Sequence, residues 1–127
     1  MSDRYDRGME VRRAVLGDAY VRRARASTSS ESAAFQELIT EEAWGTVWAS
    51  DAISRRERSM LTLALLAGLG NFEELRLHLH AARRTGCSKT DVMEVFQHVA
   101  IYAGVPRANH AIKIAQEIWA THQENDR

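Results

Sequence analysis

The stretch Glu73-Glu74-Leu75-Arg76-Leu77-His78-Leu79-His80 interleaves ionisable side chains with leucines, which sets proton-transfer groups beside a hydrophobic surface. Glu74 and His78 stand four residues apart and share one face of a helix. Arg76 and His80, also four apart, share another. Leu75, Leu79 and Ala82 define the apolar stripe of this helix, and the row holding Glu74 and His78 adjoins it, so His78 is the histidine expected to be buried. A carboxylate beside an imidazole orients the ring and can stabilise its protonated form, which suits a proton donor near neutral pH. The residues alone leave a plainer alternative open, a structural pair of Glu and His with no catalytic role.

Further groups could complete such a site. Arg55 and Arg58 are three apart in the first turn of a predicted helix, where a buried guanidinium needs a carboxylate, either from Glu57 or Glu74 or from a substrate. Trp44, Trp48, Phe96 and Tyr102 could line a pocket, although aromatics at helical spacing also serve as plain core. Metal chemistry is disfavoured: none of the five histidines forms HExxH, and His78 and His80 point from different faces of their helix. No P-loop, GxGxxG or GxSxG motif occurs, which removes the common nucleotide-binding and serine-hydrolase layouts.

Lys plus Arg and Asp plus Glu both number 17, for a formal charge of zero, so no global field draws the chain to nucleic acid or an anionic membrane. The clusters Arg12-Arg13, Arg22-Arg23-Arg25, Arg55-Arg56-Arg58 and Arg83-Arg84 read as solvated or ion-paired helix faces. The single cysteine, Cys87, excludes an internal disulfide or CxxC pair and fits a reducing cytoplasm. No apolar run approaches the roughly 20 residues of a membrane span, and the N-terminus has no signal-like apolar stretch.

The elements that must position these residues read as helices throughout, because only Pro106 interrupts the chain and no convincing alternation of apolar and polar residues occurs. A first helix is predicted over about residues 5–16, with Met9, Val11 or Arg12, Val15 and Leu16 along its stripe and Gly17 at its end. A short one follows to about residue 25. Ser27 to Ser30 compete for backbone hydrogen bonds and separate it from a long helix over about residues 31–48, whose stripe is Phe35, Leu38, Ile39, Ala43, Val47 and Trp48.

Ser54 with Glu57 caps a helix that is apolar nearly all round and is expected to be the most buried. Asn71 with Glu74 caps the next, which Gly86 closes, so the two form an αα-hairpin. Ser88 with Asp91 opens a helix to about residue 102, with Val92, Val95, Phe96, Val99 and Ala100 inward. A last helix begins near Pro106 and continues through Ile112, Ile114, Ala115 and Ile118 to Trp119. The chain is thus an all-α, single-domain bundle: an N-terminal helical arm over residues 1–30, a core over 31–122 and a polar tail over 123–127. Its small size makes self-association plausible.

Several stretches taken in order resemble the 4-carboxymuconolactone decarboxylase family: Arg4-Tyr5-Asp6-Arg7-Gly8-Met9, Val11-Arg12-Arg13-Ala14-Val15-Leu16-Gly17-Asp18, Ala43-Trp44-Gly45, Arg58-Ser59-Met60-Leu61-Thr62, Glu74-Leu75-Arg76-Leu77-His78 and Tyr102-Ala103-Gly104-Val105-Pro106. The family lies in the alkylhydroperoxidase D-like superfamily, whose redox members place a CxxC ahead of a histidine. Counting back from His78, those cysteine positions are Asn71 and Glu74, and the redox members' glutamate falls near Ser59, so thiol peroxidase chemistry has lost its nucleophiles here.

The resemblance implies loss of carbon dioxide from γ-carboxymuconolactone to give β-ketoadipate enol-lactone, without a cofactor. It implies His78 as proton donor or dienolate stabiliser and Glu74 as its orienting partner. Arg58 or Arg55 would hold the substrate's spare carboxylate, and Trp44 and Tyr102 would exclude water. It further implies a trimer or hexamer, with the N-terminal arm reaching a neighbour. Two rival readings stand beside it: a decarboxylase or isomerase of the same fold acting on another lactone or β-keto acid, and a noncatalytic helical oligomer that binds a small ligand.

Overall fold

A computed structural model describes the backbone of residues 2–125 and the side chains of residues 2–122, and every regular element among them is a helix. The order is α1 (Asp3–Leu16), α2 (Asp18–Ala26), α3 (Ala33–Ile39) running on into a π-helical segment (Thr40–Val47), α4 (Arg55–Leu69), α5 (Phe72–Thr85), α6 (Lys89–Tyr102) and α7 (Val105–Asn125). Of the expected polar tail, residues 126 and 127 lie outside the described residues, and 123–125 continue α7. The chain divides into two compact units, residues 1–55 and 56–127.

In the first unit, Ser2 caps α1 by accepting from the Tyr5 amide, and Gly17, at φ 92°, ends the helix where a side chain would be strained. α1 buries Met9, Val11, Val15 and Leu16 and, with them, the guanidinium-bearing Arg12. It lies against the π-helical segment at a glycine crossing. A methyl group on Gly8 would strike the Thr40 carbonyl and come within 2.8 Å of the Gly45 nitrogen, and one on Gly45 would strike the Arg4 carbonyl. Arg4 pairs with Glu42 at 3.2 Å, and Arg7 donates to the Ala49 carbonyl at 2.8 Å, so both ends of the segment are tied to α1.

This packing corrects part of the expected stripe of the third helix, of which Trp48 is buried as expected. Phe35, Leu38 and Val47 are exposed, whereas Thr40, Trp44 and Trp48 are buried. A π-helical turn holds more residues than an α-turn, so positions four or five apart stay aligned through the segment. The face that meets α1 is therefore carried by Thr40, Trp44 and Trp48.

The second unit is built on the α4 and α5 hairpin, turned by Gly70 at φ 77° and tied by the Asn71 amide donating to the Leu66 carbonyl. Its core joins Leu63 and Ala67 of α4, Leu75, Leu79 and Ala82 of α5, Val92, Val95, Phe96 and Val99 of α6, and Ala108, Ala111, Ile114, Ala115 and Ile118 of α7. α6 and α7 thus present the predicted stripes, apart from a few half-buried positions.

Two expectations fail in this unit. α4 is not the most buried helix: only Ser59, Leu63 and Ala67 are inward, and Leu61, Leu65 and Leu69 on the opposite face are exposed. Asn71 begins α5 without a side-chain capping bond. Two other expected helix ends are present. Ser88 and Asp91 form a reciprocal capping box, and Gly86, at φ 94°, ends α5. Asp91 also receives Arg56 through two contacts of 2.8 and 2.6 Å, which joins the start of α4 to the start of α6.

Candidate active site

His78 lies on α5 between the inward residues Leu75 and Leu79 and the fully buried Ala81. At 100° per residue, Ala81 and Ala82 flank the His78 direction on the helical wheel, so the imidazole sits within the buried arc and not beside it. The ring is half-buried, with its Nδ1 enclosed. Burial lowers its pKa to about 4, because desolvation penalises the charged imidazolium. The ring is therefore neutral at pH 7. The spacing of Glu74 and His78 allows a carboxylate to support an imidazolium, and burial of the ring works against it. Glu74 stands one turn before His78 on an exposed part of the first turn of α5, where water screens its charge.

Ser59 on α4 and Thr85 on α5 share a hydroxyl hydrogen bond of 2.6 Å, and Thr85 also donates to the Ala82 carbonyl. Together with the Gly70 turn, this contact sets the antiparallel register of the hairpin and puts His78 level with the stretch from Leu63 to Leu66. Arg58 is then about 10 Å from His78 along the hairpin axis, at 1.5 Å per residue. A long arginine side chain and a small lactone together span that distance. Ser59 itself is buried, so the position at which redox relatives are expected to carry a glutamate serves here as a hydroxyl clip between helices.

Tyr102 stands on the surface. It ends α6, is 80% exposed, and stacks on His98 with ring centres 4.8 Å apart. The next residue, Ala103, faces Gly68 near the C-terminal end of α4, about 15 Å along the helix from Arg58. The remaining predicted residues belong to the first unit: Trp44 is buried and stacks on Trp48 at 5.1 Å between ring centres, and Arg55 is exposed.

Among the described residues no group of three or more His, Cys, Asp and Glu comes together as a metal site, and no helix is long and apolar enough to cross a membrane. Cys87 is half-buried beside Thr85 and the Arg56 carbonyl, and burial raises its thiol pKa, which keeps it protonated and unreactive. The second unit also holds a pocket of about 330 Å³ lined by Leu79, Ala82, Cys87, Val92 and Trp119, and none of the predicted site residues opens into it.

The sequence left Arg12 open, either as an alternative to Val11 on the stripe of α1 or as half of a solvated Arg12-Arg13 face, and the structure buries it. The signal was present, since Arg12 falls three residues after Met9 and three before Val15 on the stripe of α1, but the neighbouring Arg13 made the pair look like a solvated face.

Residues 33–117 match the model of the carboxymuconolactone decarboxylase family. A 4-carboxymuconolactone decarboxylase of Acinetobacter baylyi is 39% identical over 116 residues, covering 91% of this chain and 87% of that protein. Nitrosuccinic acid decarboxylase npaB of Metarhizium robertsii is likewise 39% identical, over 113 residues, with 89% and 79% covered. A 4-carboxymuconolactone decarboxylase of Pseudomonas putida is 55% identical over 42 residues, covering 33% of this chain and 88% of that one.

Proposed function

The chain belongs to the carboxymuconolactone decarboxylase family, and from that premise we propose that it is a carboxy-lyase that converts γ-carboxymuconolactone to β-ketoadipate enol-lactone in the breakdown of protocatechuate. The bond between the ring carbon and its carboxylate breaks, and carbon dioxide leaves. The bonding pair moves through the ring double bond onto the lactone carbonyl, giving a dienolate. A proton then adds at the carbon next to that carbonyl, which restores the lactone, so each turnover consumes one proton. The electrons have a place to go within the substrate, and the reaction needs no cofactor.

The observation that carries this reading into residues is the neutral, enclosed imidazole of His78. A neutral ring offers an N–H hydrogen bond to the dienolate oxygen at little desolvation cost. The negative charge that develops beside it raises its basicity, so the same ring can pass on a solvent-derived proton. Arg58, half-buried on the facing helix, holds the spare carboxylate, with Arg55 as the alternative. Glu74 orients His78 from the first turn of α5, and Tyr102 excludes water.

The large apolar residues exposed on the single chain, Phe35, Leu38 and Val47 in the first unit and Leu61, Leu65, Leu69 and Ile101 in the second, support a homo-oligomer, a trimer or hexamer, in which Tyr102 gains the cover it lacks alone. The enzyme works in the cytoplasm, in keeping with its single protonated thiol.

The test is a spectrophotometric assay with γ-carboxymuconolactone. Loss of substrate absorbance with release of one carbon dioxide per turnover is expected, and an unchanged spectrum at micromolar enzyme ends the reading. A second reading is favoured by the equal identity to nitrosuccinic acid decarboxylase. There too a carboxylate leaves a carbon whose electrons an adjacent acceptor can take, with another carboxylate retained, so the same residues suit either substrate. Turnover of nitrosuccinate with none of the lactone would select it.

A further inference from the structure

Arg12 is buried within the first unit, at 7% exposure, and its Nε is enclosed with no hydrogen-bond partner. One Nη donates to the Gln36 side-chain oxygen at a long 3.4 Å. A guanidinium carries five donors and cannot shed its charge by deprotonation, so burying it without a counter-charge is costly. No carboxylate is among the groups acting on it: Tyr5 and Tyr20 are uncharged phenols at neutral pH, and Arg25 opposes its ionisation. Burial is the largest influence and lowers its pKa.

Beside it opens a cavity of about 470 Å³, all of it lined by the first unit: Arg12, Arg25, Gln36 and Glu37 among polar groups, with Met9 and Tyr5 among those that offer apolar surface. Two guanidinium groups and one carboxylate leave this lining one positive charge in excess.

We propose that this cavity is a binding site for a small organic carboxylate, whose two oxygens accept from the Arg12 guanidinium and whose apolar body lies against Met9 and Tyr5. One carboxylate matches the single excess charge, and Glu37 disfavours a more highly charged ion such as phosphate. The planar guanidinium fork matches the carboxylate geometry. Arg25, exposed at the rim, adds attraction without being desolvated.

Two sources share this chemistry: the carboxylate arm of the enzyme's own substrate or product, and a separate carboxylate metabolite. The site goes beyond the proposed reaction and does not depend on it.

The test uses benzoate as the probe and benzamide as its uncharged counterpart, with binding located by the Arg12 Nε–H signal in an NMR titration of the full chain. Benzoate should move that signal downfield, and benzamide should leave it in place. The dissociation constant for benzoate should rise at least about tenfold in Arg12→Gln and about threefold in Arg25→Gln. If Arg12→Gln does not fold, the Nε–H signal and Arg25→Gln decide the matter. An Nε–H signal unmoved at saturating benzoate, or equal dissociation constants in the wild type and a folded variant, overturns the site.

Turnover separates the two sources. Benzoate competitive with the lactone, together with a KM raised in Arg25→Gln at constant kcat, identifies the substrate's own carboxylate. Benzoate binding without competition and an unchanged KM identify a separate ligand.

Discussion

His78→Gln should make the protein less sensitive to acid. An ordinary histidine titrates near 6.5, and burial holds His78 at about 4. Between these values the unfolded chain binds a proton that the folded chain refuses, so stability falls as the pH drops through this window. Above pH 6.5 both states are neutral and the contribution is intact; below pH 4 both are charged and it is lost in full. At 1.36 kcal/mol per pH unit the whole gap is worth at most about 3.4 kcal/mol, and about 2 kcal/mol has gone by pH 5.

The assay is urea unfolding at pH 7.5 and pH 5.0, at one fixed protein concentration, for the wild type and His78→Gln. The loss of unfolding free energy on acidification should be smaller in the variant by about 2 kcal/mol. Asp91, held well below the usual carboxylate range by Arg56 and the Ser88 amide, contributes equally to both proteins and drops out of the comparison. Equal pH dependence in the two proteins refutes the neutral-imidazole reasoning. So does an NMR titration of the His78 ring with its midpoint above pH 6.

Turnover of the lactone should fall on the order of a hundredfold or more in folded His78→Gln if the ring stabilises or protonates the dienolate, read as kcat from the absorbance assay. Gly8→Ala should cost about 2–3 kcal/mol of unfolding free energy, even though alanine favours helix, because its methyl group has only the Thr40 and Gly45 backbone to push against. Ser88→Ala should cost about 1 kcal/mol by the same measurement, through loss of the bond to the Asp91 amide at 3.0 Å. Leu65→Glu, on the exposed face of α4, should leave the far-UV spectrum unchanged and lower the mass seen by light scattering. An oligomer that persists in the variant would show that this face is not an interface.

What could be read from the sequence was whatever depends on a few neighbouring residues. Gly17 and Gly86 end helices because their positive φ angles suit glycine, and Ser88 with Asp91 starts one because both partners lie within a single turn. Helix count, the α4 and α5 hairpin, and the inward stripes of α6 and α7 follow from the same local chemistry and from apolar periodicity. The pairing of Glu74 with His78 on one row of α5 is likewise a matter of spacing, and the family follows from matching residues in order.

Tertiary structure decided which faces meet and how much water each group keeps. The glycine crossing of α1 with the π-helical segment turned Thr40 inward beside Trp44 and Trp48 and left Phe35, Leu38 and Val47 outside, a difference invisible to a stripe drawn at a uniform α-helical period. α4 is apolar on two sides, and only the positions of its neighbours determine that Leu63 is buried and Leu65 is not. The same applies to charge. His78 is neutral and Arg12 is buried because of what packs around them, and desolvation depends on the surroundings in space, which the order of residues along one helix does not record.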